Sequence, residues 1–125
     1  MKRCSTGSKL IDNILEGGLE NEVTTTIYGP SGSGKTNIAI LAALYNAKDS
    51  KIIFIDTEGG FSIDRVKQMF PEDHERRLKN LIIFKPTTFT EQADLFRNLE
   101  NFANEHEPSL IVVDSLSMLY RLELG

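Results

Sequence analysis

Eight consecutive residues, Gly29-Pro30-Ser31-Gly32-Ser33-Gly34-Lys35-Thr36, match the pattern G-x-x-x-x-G-K-S/T at every fixed position. The chemistry such a run supports is phosphate capture. Glycines let the backbone curl so that successive N–H groups point inward at phosphate oxygens. A helix opening at Lys35 would aim the positive end of its dipole at the same anion. Lys35 would reach the β- and γ-phosphates, and the Thr36 hydroxyl would ligate Mg²⁺. A flexible Gly/Ser turn is the competing reading, but chance yields the pattern in only roughly 0.4% of chains this long. A dinucleotide fingerprint fits badly, because it would need glycine at position 37 and Asn37 stands there.

Two acidic positions could complete a nucleotide-hydrolysing site. The apolar run Leu110-Ile111-Val112-Val113 ends in Asp114. In phosphate-loop enzymes an acid at such a strand end holds Mg²⁺. By itself it could equally cap a following helix. The second run, Ile55-Asp56-Thr57-Glu58-Gly59-Gly60-Phe61, places Glu58 just past another apolar strand. Ligands of open parallel sheets gather at the carboxyl ends of the strands. A carboxylate there could orient water in line with a γ-phosphate. It could also be a solvent-facing turn residue, and the residues alone do not separate the two.

These groups need a frame that brings strand ends together. Val23–Tyr28 reads as a strand, Lys35–Ala47 as a mostly apolar helix and Lys51–Asp56 as a strand apolar on both faces. Ser62 is placed to cap a helix over Ile63–Phe70, which Pro71 interrupts, with a further turn or two over Glu72–Lys79. Leu81–Phe84 and Leu110–Val113 read as strands. Between them, Thr88 and Glu91 have capping-box spacing ahead of Leu95, Phe96, Leu99, Phe102 and Ala103 on one helical face. Near the start, Ser8–Glu16 reads as a short amphipathic helix with Leu10, Ile11, Ile14 and Leu15 on one face, stopped by Gly17-Gly18. Strands alternating with helices predict parallel β-α-β units: an α/β fold, a mostly parallel sheet with helices on both faces.

Composition excludes several other classes. The 125 residues are 40% hydrophobic and 26% charged, as in a globular domain and unlike a disordered chain. The longest apolar run, Ile38 to Leu44, is far short of the roughly 20 residues of a membrane helix. Polar Ser5–Ser8 follows the basic start, so a cytosolic protein is expected. A single cysteine, Cys4, excludes an internal disulfide. Net charge is −4, and residues 91–125 carry seven acids against two bases. No segment resembles a basic arm for nucleic acid. Arg76, Arg77 and Lys79 form only a small cluster on a helix expected to be exposed.

With these motifs in place, the chain resembles the core of RecA/RadA-type recombinases, and especially their archaeal RadB paralogues. Ser5-Thr6-Gly7 with Leu10, Asp12, Leu15 and Gly17-Gly18 is similar to the entry of that core. Phe54 to Ser62 is similar to its second strand, and Val112-Val113-Asp114-Ser115 with Leu119 to Glu123 to its magnesium strand and the lead-in to a DNA-facing loop. The resemblance implies a RecA-type phosphate-loop NTPase core spanning residues 1–125, cut short after the magnesium strand. It implies Mg·ATP binding with weak hydrolysis, Glu58 as the water-activating carboxylate, and Arg65 stacked at the adenine by its spacing from Phe61. It further implies a role in DNA repair and homologous recombination, with DNA, the main archaeal recombinase and further copies of the chain as partners. The family's N-terminal helical DNA-binding domain is not expected ahead of this core, which favours the RadB-like over the RadA-like members, and the 125 residues hold no Phe-x-x-Ala polymerisation tether. A KaiC-like signalling ATPase shares the entry motif and phosphate loop, but Asp56 to Ser62 argues against it. An ATP-binding regulator without useful turnover is the remaining rival.

Overall fold

Ile52-Ile53-Phe54-Ile55 has no polar alternation, and a strand of that composition is stable only when both its faces are covered. The computed structural model, which describes residues 3–20 and 34–114, places it accordingly. Strand β3 (Ile52–Asp56) is buried at every residue and is the middle of a three-stranded parallel sheet ordered β4-β3-β5. Its neighbours are β4 (Leu81–Phe84) and β5 (Leu110–Asp114). In register, Ile52 lies opposite both Leu81 and Leu110, and Asp56 lies opposite Asp114. The strand ends that could do chemistry are therefore side by side.

Helices cover both faces, as the sequence predicts. Ile52 and Phe54 point to one face, under α2 (Lys35–Asn46), α3 (Ile63–Met69) and α4 (His74–Lys79). Ile40, Ala43, Leu44 and Val66 are fully buried there. Ile53 and Ile55 point to the other, under α5 (Phe89–Arg97) and α6 (Leu99–His106). An antiparallel pair, β1 (Arg3–Cys4) with β2 (Leu19–Glu20), flanks α1 (Lys9–Ile14) near the start. The predicted strand Val23–Tyr28 and residues Gly29–Ser33 of the phosphate loop lie outside the described residues, as does Ser115 onward.

The helix starts follow local chemistry. The Ser62 hydroxyl accepts from Arg65 N, and the Thr88 hydroxyl from Glu91 N. The expected reciprocal arm is shifted by one residue, because Glu91 accepts from the backbone N–H and hydroxyl of Thr87 instead of from Thr88. One element differs from expectation. The stretch from Phe89 to His106 is two helices, broken at Asn98. The Asn98 side chain donates to the Asp94 carbonyl at 2.8 Å, competing with the backbone for that acceptor. Helix α1 also differs, since Leu10 and Ile14 of its apolar face are 72% and 71% exposed.

Within the basic cluster on α4, Arg76 and Lys79 are exposed as expected, whereas Arg77 is turned inward. Arg77 donates to Asp73 and to the carbonyls of Leu44 and Tyr45, and lies over the Phe70 ring. It thereby caps the carboxyl end of α2. Arg76 is also paired with Asp73.

The entry segment is organised by Asp12. Its carboxylate accepts from the Ser5 hydroxyl, the Thr6 backbone N–H and the Thr6 hydroxyl. Burial would raise its pKa, but these three hydrogen bonds outweigh burial and hold it below the usual carboxylate value. A depressed native pKa adds stability above the unfolded value near 3.8 and loses it as pH falls through the native one. Asp12→Asn is expected to cost about 1 kcal/mol at pH 7, given this partly exposed setting. In urea unfolding at pH 2 to 3 the difference from wild type should shrink. An equal difference at both pH values would contradict this assignment.

Candidate nucleotide-binding site

The described half of the phosphate loop begins at Gly34, with φ at +90° as the N-cap of α2. Side chains with a β-carbon are strained in that left-handed region, so glycine is required where the loop turns into the helix. Lys35 and Thr36 then occupy the first turn of α2, at the carboxyl ends of β3 and β5. No acidic residue lies in that first turn to compete for the helix end.

Asp114 closes β5 on this site. It is 7% exposed, and its Oδ2 has no hydrogen-bond partner among the described residues. Its pKa is raised. Burial is the main cause, and the charges of Glu58 and Asp56 push the same way. The Thr36 hydroxyl, by hydrogen bonding, and the Lys35 charge pull it back down. Those influences put Lys35, Thr36, Asp56, Glu58 and Asp114 in one neighbourhood. An orphaned, buried carboxylate oxygen beside a hydroxyl and two further carboxylates is a poor arrangement for protein atoms alone. A divalent cation would supply the missing partner and relieve the repulsion, so the donor set fits Mg²⁺.

The turn after β3 lies directly on this pair. A β-carbon on Gly60 would stand 3.2 Å from Thr36 Cγ2, 3.5 Å from Thr36 Oγ1 and 3.8 Å from Asp114 Oδ2. Glycine is thus what lets the turn approach so closely. Glu58 is exposed two residues earlier. The turn is held from below by Asp56, which is 2% exposed and accepts from the backbone N–H groups of Glu58, Gly59, Gly60 and Phe61. Thr57 ties the two strand ends together, donating its N–H and hydroxyl to the Asp114 carbonyl.

Of the residues singled out from sequence, Lys35, Thr36, Glu58 and Asp114 converge here with Gly34. Arg65 is exposed in the first turn of α3, four residues beyond buried Phe61. Gly29, Pro30, Ser31, Gly32 and Ser33 lie outside the described residues. Sequence reasoning passed over Asp56. The available signal was an acid shortly before Gly59-Gly60, since short acidic side chains accept N–H groups of a following turn. Gln92 was also passed over. It is 2% exposed beside an open cleft between the ends of β3 and β4, with Oε1 unpartnered among the described residues.

Comparisons with known proteins place the chain in a family. The Rad51 family model matches residues 1–125. The DNA repair and recombination protein RadB of Methanobrevibacter smithii is 43% identical over 116 residues, covering 90% of this chain and 50% of that protein. RadB of Methanothermobacter thermautotrophicus is 44% identical over 118 residues, covering 92% and 50%. RadB of Methanocaldococcus jannaschii is 43% identical over 117 residues, covering 93% and 54%. The chain spans about half the length of these curated relatives. The match runs over the entry segment, both acidic strand ends and the phosphate loop alike, and the chain belongs to the Rad51 family.

Proposed function

We propose that this chain is the phosphate-loop-to-magnesium-strand portion of a RecA-like core, in a protein that binds Mg·ATP and hydrolyses it slowly. The observation that carries this reading is the convergence at Asp114: a buried carboxylate oxygen without a partner among the described residues, next to Thr36, under the Gly60 turn that presents Glu58. Backbone N–H groups of Gly29 to Gly34, with Pro30, Ser31 and Ser33 between the glycines, cradle the phosphates. Lys35 neutralises the β- and γ-phosphate charge. Thr36 and Asp114 hold Mg²⁺, whose role when bound is to offset charge on the transferring phosphoryl group. Glu58 orients the attacking water and takes its proton. Arg65 stacks its guanidinium plane on the adenine.

The biological setting follows from the relatives. Proteins of the RadB name act in DNA repair and recombination, and this protein is read as a recombinase paralogue of that kind, working in the cytoplasm. DNA, the main archaeal recombinase and further copies of the chain are its proposed partners. Among the described residues no helix is long and apolar enough to cross a membrane. A signalling ATPase is disfavoured by the family match over the whole chain. Turnover and ATP binding measured side by side for wild type and Glu58→Gln test the hydrolytic reading. Lost turnover with retained binding supports it. Unchanged turnover would replace it with that of an ATP-binding regulator.

A further inference from the structure

The turn that carries Glu58 has little packing of its own. Glu58 and Gly59 are exposed, and Gly59 has φ at +76°. Beneath it, Asp56 Oδ1 accepts from Glu58 N at 3.2 Å, Gly59 N at 2.8 Å and Gly60 N at 3.2 Å, while Oδ2 accepts from Phe61 N at 3.0 Å. Four successive N–H groups on one buried carboxylate fix the course of the turn residue by residue. Its far end is anchored independently, because Phe61 is buried edge-to-face against Phe54 at 5.2 Å. The result is a turn clamped at its base and its end, with Gly60 pressed on Thr36 and Asp114.

We propose that Asp56 is the positioning residue of this turn: it sets where Glu58 and Gly60 stand relative to Thr36 and Asp114. The proposal rests on the reading of Glu58 given above. Asp56 makes no contact with the reacting atoms, and its effect on turnover passes through Glu58. Asparagine at this position keeps one acceptor oxygen for the first three N–H groups but turns an amide N–H toward Phe61 N, so two donors face each other. Alanine removes all four acceptors.

Amide hydrogen exchange on the full chain reads the clamp without reference to activity. Asp56→Ala should raise exchange at residues 58–61 by roughly tenfold or more, with the β3 amides still protected, because the loss is local. Asp56→Asn should release Phe61 most. Unchanged exchange at 58–61, or a rise shared equally by β3, would overturn the proposal.

Turnover adds the second readout. Misplacing a catalytic group by about 1 Å costs on the order of a hundredfold, so Asp56→Asn should lower kcat by roughly tenfold to a hundredfold with KM for ATP little changed. Placed in a Glu58→Gln background, the same substitution should lower kcat less than about twofold further, since the group it positions is already gone. Losses that simply multiply would show that Asp56 acts separately from Glu58 and contradict the proposal. If Glu58→Gln alone leaves kcat intact, the hydrolytic reading fails, and exchange still decides whether Asp56 holds the turn.

Discussion

Glu58→Gln is expected to lower ATP turnover by roughly 10²- to 10⁴-fold, the range for loss of a positioned general base. ATP affinity should change by no more than about threefold, because glutamine keeps the size of the side chain and the phosphate contacts lie elsewhere. The electrostatics of the site sharpen this expectation. The Glu58 charge is one of the causes that raise the Asp114 pKa. Removing it lets Asp114 ionise more readily, so the metal end of the site is not weakened by the substitution. A fall in turnover with affinity retained would then support the proposed role of Glu58 in water activation. Single-turnover kinetics with bound nucleotide check this directly, and a fall in affinity as large as the fall in rate would contradict it.

Phe54→Ala is expected to have the largest effect on stability. Phe54 is fully buried at the centre of the sheet, between Ile40, Leu44 and Ala47 of the α2 side and Val66 of α3. Truncation of a buried phenylalanine costs about 3–5 kcal/mol through lost burial and the cavity left behind. Whole domains are stable by only about 5–15 kcal/mol, so a large share of the folded population is at stake. The substitution also removes the ring on which Phe61 packs, and Phe61 ends the turn that carries Glu58. Chemical denaturation should show a midpoint shifted far down, and exchange at residues 58–61 should rise with it. Phe96→Ala on the other face makes a useful contrast, because Phe96 is only partly buried and its loss should cost less. Equal losses at the two positions would contradict the central place given to Phe54.

Much of this architecture is legible in the residues themselves, where local chemistry decides. Continuous apolar runs identify β3, β4 and β5, and Ser62 and Thr88 mark helix starts that the structure reproduces. What the residues do not reveal is set by partners distant in sequence. Arg77 reads as part of a basic surface cluster, yet it is spent on the carbonyls of Leu44 and Tyr45, more than thirty positions away. The break at Asn98 is invisible to an apolar pattern that continues through it, because one side-chain amide decides the matter. Asp56 looks like the end of a buried strand, and only the fold shows its carboxylate turned under the four N–H groups that follow. The exposure of Leu10 and Ile14 is a case of periodicity naming a face without naming what covers it.

The central claim is that Lys35, Thr36, Asp114 and the Glu58 turn form one Mg·ATP site. Calorimetric titration of the full chain with Mg·ATP, with Lys35→Ala alongside, tests it most directly. The account predicts saturable binding by wild type and affinity lowered by tenfold or more in the variant, a difference of at least about 1.4 kcal/mol. A folded wild-type protein that takes up no Mg·ATP, or a Lys35→Ala variant that binds it equally well, would contradict the account.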